Sequence, residues 1–122
     1  MEYSVVQKGD KKYVECTSGE GNQVVNERDA LDLVAACGEN DTHRLMLRAE
    51  NLTPEFYQLR TGLAGSILLK FSNYYLKVAA VLTPELVNQG RFREMVLETN
   101  RTSNEFRVFY EQDKAEEWLL KD

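Results

Sequence analysis

One histidine, two cysteines and two prolines in 122 residues leave little material for metal binding or nucleophilic catalysis. His43 stands among Asp41, Thr42 and Arg44, a polar turn that offers it no nucleophile to activate. It reads as a surface histidine, and no metal site, cofactor or catalytic residue is expected. A phosphate loop, a dinucleotide fingerprint and a nucleophile elbow are all missing. Gly62-Leu63-Ala64-Gly65 lacks the spacing of the first two and the central Ser of the third. Cys16 and Cys37 form no paired motif; reduced thiols are expected, Cys37 in the core and Cys16 more exposed at a strand end. No apolar run approaches the roughly 18 residues that span a bilayer. Positive charge is in deficit, with 15 Lys and Arg against 20 Asp and Glu and a formal net charge of -5. Nucleic acid and anionic membranes both attract a basic footprint, so neither is an expected partner.

What remains is the composition of a folded domain, 43% hydrophobic and 29% charged. The length predicts one core, a single domain over residues 1–122. The opening segment Met1–Lys8 has no basic stretch followed by an apolar run, so no signal peptide is read and a cytoplasmic location is expected. In that compartment the glycosylation-type triplets at Asn40, Asn51 and Asn100 are chance matches.

Residues 2–7 and 11–16 predict two strands joined by a turn at Gly9-Asp10. Asn26 reads as the cap of a first helix of about 11 residues, near the average length, with Gly38 as its stop. Leu45-Met46-Leu47 reads as a buried central strand. Thr53-Pro54-Glu55 starts a helix with a capping hydroxyl and a proline at its first position. Leu63, Ile67, Leu68, Phe71 and Tyr75 then repeat at helical spacing; one bent helix, or two meeting at Gly62, both fit. Leu76–Leu82 is an apolar strand suited to a sheet covered on both faces. Phe92, Met95, Val96 and Thr99 mark a third helix, and residues 106–110 a final strand. Asp113 reads as the cap of a last helix, with Glu116 in the capping-box position. The order β-β-α-β-α-β-α-β-α predicts an α/β domain with a mixed sheet of about five strands and a parallel centre.

The most unusual segment is Arg60-Thr61-Gly62-Leu63-Ala64-Gly65-Ser66, because a glycine inside a helix costs about 1 kcal/mol against alanine. One reading is close packing, in which Gly62, Ala64 and Gly65 let a helix approach its neighbours. The other is an exposed loop-to-helix junction whose free amides and hydroxyls bind an anion or accept a phosphate, with Thr61 as the candidate phosphorylation site. Tyr57 and Tyr74 border the segment among other aromatics and would make a contact surface where exposed. A second polar group, Glu98, Asn100 and Arg101, ends the third helix.

The runs Glu50-Asn51-Leu52, Leu59–Phe71, Asn73-Tyr74, Lys77-Val78-Ala79 and Glu98–Arg101 resemble a small bacterial family known as a domain of unknown function, the DUF4180-type proteins. The resemblance covers nearly the whole chain and implies a fold rather than an activity. A more distant likeness is to the STAS, or anti-sigma-factor antagonist, fold, whose element order is similar. That fold places a phosphorylatable hydroxyl directly before Gly-Leu at a helix start, where this chain has Thr61-Gly62-Leu63. Its usual preceding Asp is replaced here by Leu59-Arg60.

Two functions are therefore expected of the chain. The first is a non-enzymatic, STAS-like regulatory module that presents the Thr61–Gly65 junction to a protein partner or to a second copy of itself. The alternative is a small enzyme or small-molecule binder at the carboxyl ends of the parallel strands, built from Arg60, Thr61, Glu98, Asn100 and Arg101. The alternative requires those side chains to meet around one pocket.

Overall fold

The computed structural model describes residues 1–121. Five strands form one mixed sheet: β1 (Tyr3–Lys8), β2 (Lys11–Cys16), β3 (Arg44–Arg48), β4 (Lys77–Val81) and β5 (Phe106–Phe109). They lie in the sheet in the order in which they occur in the chain. β1 pairs antiparallel with β2, and the β2–β3, β3–β4 and β4–β5 pairs are parallel. The helices are α1 (Glu27–Glu39), α2 (Pro54–Tyr57), α3 (Leu63–Asn73), α4 (Pro84–Val87), α5 (Gly90–Thr102) and α6 (Gln112–Leu119). α2 and α4 are single turns.

Side chains alternate across a strand, so each strand supplies both faces. Val14, Leu45, Leu47, Val78, Ala80, Phe106 and Val108 face the main core, which α1, α3 and α5 cover with Leu33, Cys37, Ile67, Phe71, Phe92 and Val96. Tyr13, Met46 and Ala79 point the other way and are covered by α6 alone, through Ala115, Trp118 and Leu119. This explains the continuous apolar runs of β3 and β4: both strands are covered on two sides.

Several local expectations are corrected. Gly38 lies inside α1, which runs on to a cap at Asn40; the left-handed turn falls on Asp41 (φ 52°). Asp113 is in the first turn of α6, whose cap position is Glu111, and Glu116 accepts a hydrogen bond from the Tyr13 hydroxyl at 2.6 Å instead of closing a capping box. Thr53 occupies the cap position of α2, but its hydroxyl is buried without a partner among the described residues. Thr83 does cap, accepting from the Leu86 amide at 3.3 Å and so starting α4. Cys16 is fully buried, like Cys37. Burial pushes the Cys16 thiol up to about 11 and the Cys37 thiol up to about 12. Tyr75 stands outside α3, in a left-handed conformation (φ 60°) that is uncommon for a bulky residue.

Two buried asparagines tie the first loop to the sheet. Asn51 donates to the carbonyls of Thr17 and Asn22, each at 3.0 Å, and accepts from the Arg48 amide at 2.9 Å. Asn22 bonds both backbone groups of Glu2 at 2.9 Å. The glycosylation-type triplet at Asn51 thus holds a buried structural amide.

Candidate functional site

The segment after β3 is built in three pieces. α2 is followed by a 3-10 turn (Leu59–Thr61), and Gly62, at φ 79°, turns the chain into α3. That backbone angle accounts for Gly62. Packing does not account for either glycine: a methyl group on Gly62 or Gly65 would meet nothing within 4 Å. Nothing in the structure explains Gly65. Thr61 is exposed, and its hydroxyl is directed at the carbonyls of Glu55 (2.8 Å) and Gln58 (2.9 Å) while accepting from the Leu63 amide at 3.3 Å. The hydroxyl thereby ties the end of α2 to the start of α3.

The aromatics divide. Phe56, Tyr57 and Phe92 form a buried edge-to-face cluster, with Tyr57 and Phe92 ring centroids 5.1 Å apart. Tyr74 and Tyr75 are exposed, 53% and 83%, but at the far end of α3, about 16 Å from its start by helix geometry.

Two adjoining cavities open where the connections after β3 and β4 meet. One, of about 320 Å³, is lined by Tyr57, Gln58, Leu59, Arg60, Gln89, Arg91 and Phe92. The other, of about 290 Å³, shares Tyr57, Gln58 and Gln89 and adds Ala49, Leu52, Pro54 and Leu86. Both lie beyond the carboxyl ends of β3 and β4, the place where open α/β sheets hold ligands. Tyr57 is buried, 5% exposed, and its hydroxyl, closed to solvent, has no hydrogen-bond partner among the described residues. Burial, followed by the charge of Glu50, pushes that hydroxyl up to about 12, so it is a neutral donor at physiological pH. Neither Arg60 nor Arg91 makes an ion pair or side-chain hydrogen bond among the described residues. No acid lines either cavity. The start of α5 also faces this region, and its cap residue Gln89 makes no side-chain bond to the helix amides.

The structure separates the five residues of the expected pocket. Arg60 lines the cleft, and Thr61 lies beside it. Asn100 lies elsewhere, its amide bonding the Val108 carbonyl at 3.0 Å and its oxygen accepting the Val108 amide at 2.8 Å. That pair holds α5 against β5. Glu98 and Arg101 pair with each other at 2.8 Å on the solvent side of α5. The start of α5, not its end, therefore faces the junction. Sequence reading missed Gln58, Gln89, Arg91 and Phe92. The available signal was that two connections leaving adjacent parallel strands must end side by side.

A larger cavity of about 460 Å³, at the amino ends of β3 and β4, is lined by His43, Arg44, Lys77, Asn104, Arg107, Trp118 and Lys121. Arg44 and Lys77 of this lining, with Lys11 nearby, serve the end of α6. Lys11 donates to the Leu120 carbonyl at 2.7 Å, Arg44 to Leu119 at 2.8 Å, and Lys77 to Trp118 at 2.7 Å and Lys121 at 2.8 Å. These carbonyls belong to the last turn of α6 and the two residues after it, the negative end of the helix, which cations stabilise. Lys77 and Arg107 also lie over the Trp118 ring, 4.7 Å and 5.4 Å from its centroid. Partial burial and the charges of Arg44 and Lys77 lower the pKa of His43.

Among the described residues there is no cluster of His, Cys, Asp and Glu that could hold a metal ion, and no helix long and apolar enough to cross a membrane. Comparison with curated proteins and with solved structures finds no match to this chain, so the STAS likeness rests on element order and the Thr61-Gly62-Leu63 position. The family model described as a domain of unknown function, DUF4180, matches residues 8–119, and the chain belongs to that family.

Proposed function

We propose that this protein is a non-enzymatic binding module of the bacterial cytoplasm that takes a small ligand in the cleft between the 57–62 and 86–92 connections. The observation that carries the reading is the cleft itself, two adjoining cavities of about 320 and 290 Å³ beyond the carboxyl ends of β3 and β4 that share Tyr57, Gln58 and Gln89. The cleft also offers an apolar wall and a few convergent polar groups, the general make-up of a ligand site. The regulatory role follows the STAS-like element order, in which the junction at Thr61 would report occupancy to a partner.

Gln89 is exposed and lines both cavities, so Gln89→Trp fills the cleft without touching the core. The test is native mass spectrometry of the wild-type chain and this variant after exposure to a small-molecule extract of the cell. Retention of a ligand by the wild type and its loss in the variant is expected. Identical spectra for both proteins would sink the reading.

Exposed Tyr74 and Tyr75 favour a second reading, a protein-contact surface at the far end of α3 for an unidentified partner or for self-association. Light scattering of the wild type and of Tyr75→Ser tests it; a monomer in both excludes self-association. Affinity purification with mass spectrometry tests for a protein partner and reads the phosphorylation state of Thr61.

A further inference from the structure

We propose that β1 is the contact edge for a second copy of this chain, the two strands pairing antiparallel about a two-fold axis at Val5 so that two sheets become one. The inference is independent of the cleft and of the aromatic end of α3. It starts from a difference between the two edges of the sheet, β5 and β1. At β5 the outward backbone groups are taken by side chains. Asn100 accepts from the Val108 amide at 2.8 Å and donates to the Val108 carbonyl at 3.0 Å, and the Ser103 hydroxyl accepts from the Phe106 amide at 3.2 Å. β5 is also short, four residues, and carries Arg107. Covering, shortness and charge all keep an edge from pairing with another chain.

β1 has none of these protections. It is six residues long, four of them are exposed, and no charge occurs before Lys8. Its outward groups can be assigned. The Thr17 amide donates to the Glu2 carbonyl at 3.1 Å, and the Gly9-Asp10 turn closes on the Lys8–Lys11 pair. Ladder bonds alternate along an antiparallel strand, so Glu2, Ser4, Val6 and Lys8 bond toward β2 while Tyr3, Val5 and Gln7 point outward. Those outward amides and carbonyls have no partner among the described residues.

The strand is complementary to itself. A two-fold axis at Val5 sets Val5 against Val5 of the second copy, Tyr3 against Gln7 and Glu2 against Lys8. Outward groups then meet outward groups, and each Val5 and Tyr3–Gln7 pair exchanges two backbone hydrogen bonds. Glu2 and Lys8, both exposed and in no ion pair among the described residues, face opposite charges at the two ends. The half-exposed Val5 side chains cover each other at the centre. A register shifted by one residue opposes outward to inward groups and forms no ladder. A shift by two separates Glu2 from Lys8.

Sedimentation velocity of the intact chain, with amide exchange on the isotope-labelled protein, tests this. One strand pair is a small interface, so a dimer with a dissociation constant of about 100 µM is expected. Exchange at Tyr3, Val5 and Gln7 should slow as concentration rises, and exchange at Ser4 and Val6 should not change. Val5→Pro removes the central outward amide where an edge strand tolerates proline, and Val5→Lys puts like charges together at the axis. Both should be monomeric at about 1 mM, roughly ten times the expected dissociation constant. Glu2→Lys or Lys8→Glu alone should weaken the dimer about tenfold, and the two together should restore it. Tyr75→Ser should leave it unchanged. A monomer at every concentration overturns the proposal, as does a dimer that survives both Val5 variants. Charge reversals that fail to rescue each other overturn the register.

Discussion

The two ends of the parallel strands each gather cationic side chains beside an aromatic ring, yet they are in opposite states. At the amino ends, Lys11, Arg44 and Lys77 donate to the last carbonyls of α6. At the carboxyl ends, Arg60 and Arg91 make no such bonds, and the Tyr57 hydroxyl beside them is unpaired. The larger cavity is at the amino ends. Size and charge alone would therefore select the amino end. What distinguishes a candidate site from a structural clamp is whether its donors already have acceptors.

The contrast can be broken most severely at the clamp. Trp118→Ala removes the aromatic seat of α6 and is expected to cost about 3–5 kcal/mol in denaturant unfolding. Lys77→Met keeps the length of the side chain but deletes its bonds to two carbonyls, for an expected loss of about 1–3 kcal/mol. At the other end, Tyr57→Phe should leave stability unchanged or raise it by about 1 kcal/mol, because it deletes a buried hydroxyl that has no partner. A clear loss of stability would show that the hydroxyl is bonded in solution. Arg60→Gln with Arg91→Gln should stay within about 0.5 kcal/mol of the wild type. The smallest effect is on pH dependence. His43 has a folded pKa below its unfolded value of 6.5, so the unfolded chain binds its proton first. Stability is full above pH 6.5 and falls as the pH drops below it. His43→Gln should flatten that fall, as thermal melts across the range would show.

The strands were legible because their chemistry is two-sided. Leu45–Leu47 and Val78–Val81 are apolar on consecutive residues, which only a doubly covered strand requires. Asn26 was legible as a cap because its carboxamide oxygen does accept the Asp29 amide, at 3.0 Å. Asp113 misled because the capping-box pattern says nothing of a distant competitor, and Tyr13 takes the carboxylate of Glu116. Tyr57 and Arg60 drew notice through the glycines that follow them. Gln89 and Arg91 did not, because they lie about thirty residues further on and reach the cleft only through the pairing of β3 with β4. Glu98, Asn100 and Arg101 share a helix end, but helix geometry sends Asn100 to β5 and leaves Glu98 and Arg101 paired in solvent.

The strand order has a consequence for how the chain comes to be folded. Each strand from β2 to β5 lies beside the strand made just before it. Every parallel pair therefore closes a loop of one connection, never of two, which keeps the entropy of closure small. A chain that folds from its amino end would therefore offer each new strand an edge to pair with. Only α6 must reach back, across β3 and β4 to Lys11. The second face of the sheet is thus sealed by α6, which follows all five strands in the chain; without it Tyr13, Met46 and Ala79 would face water.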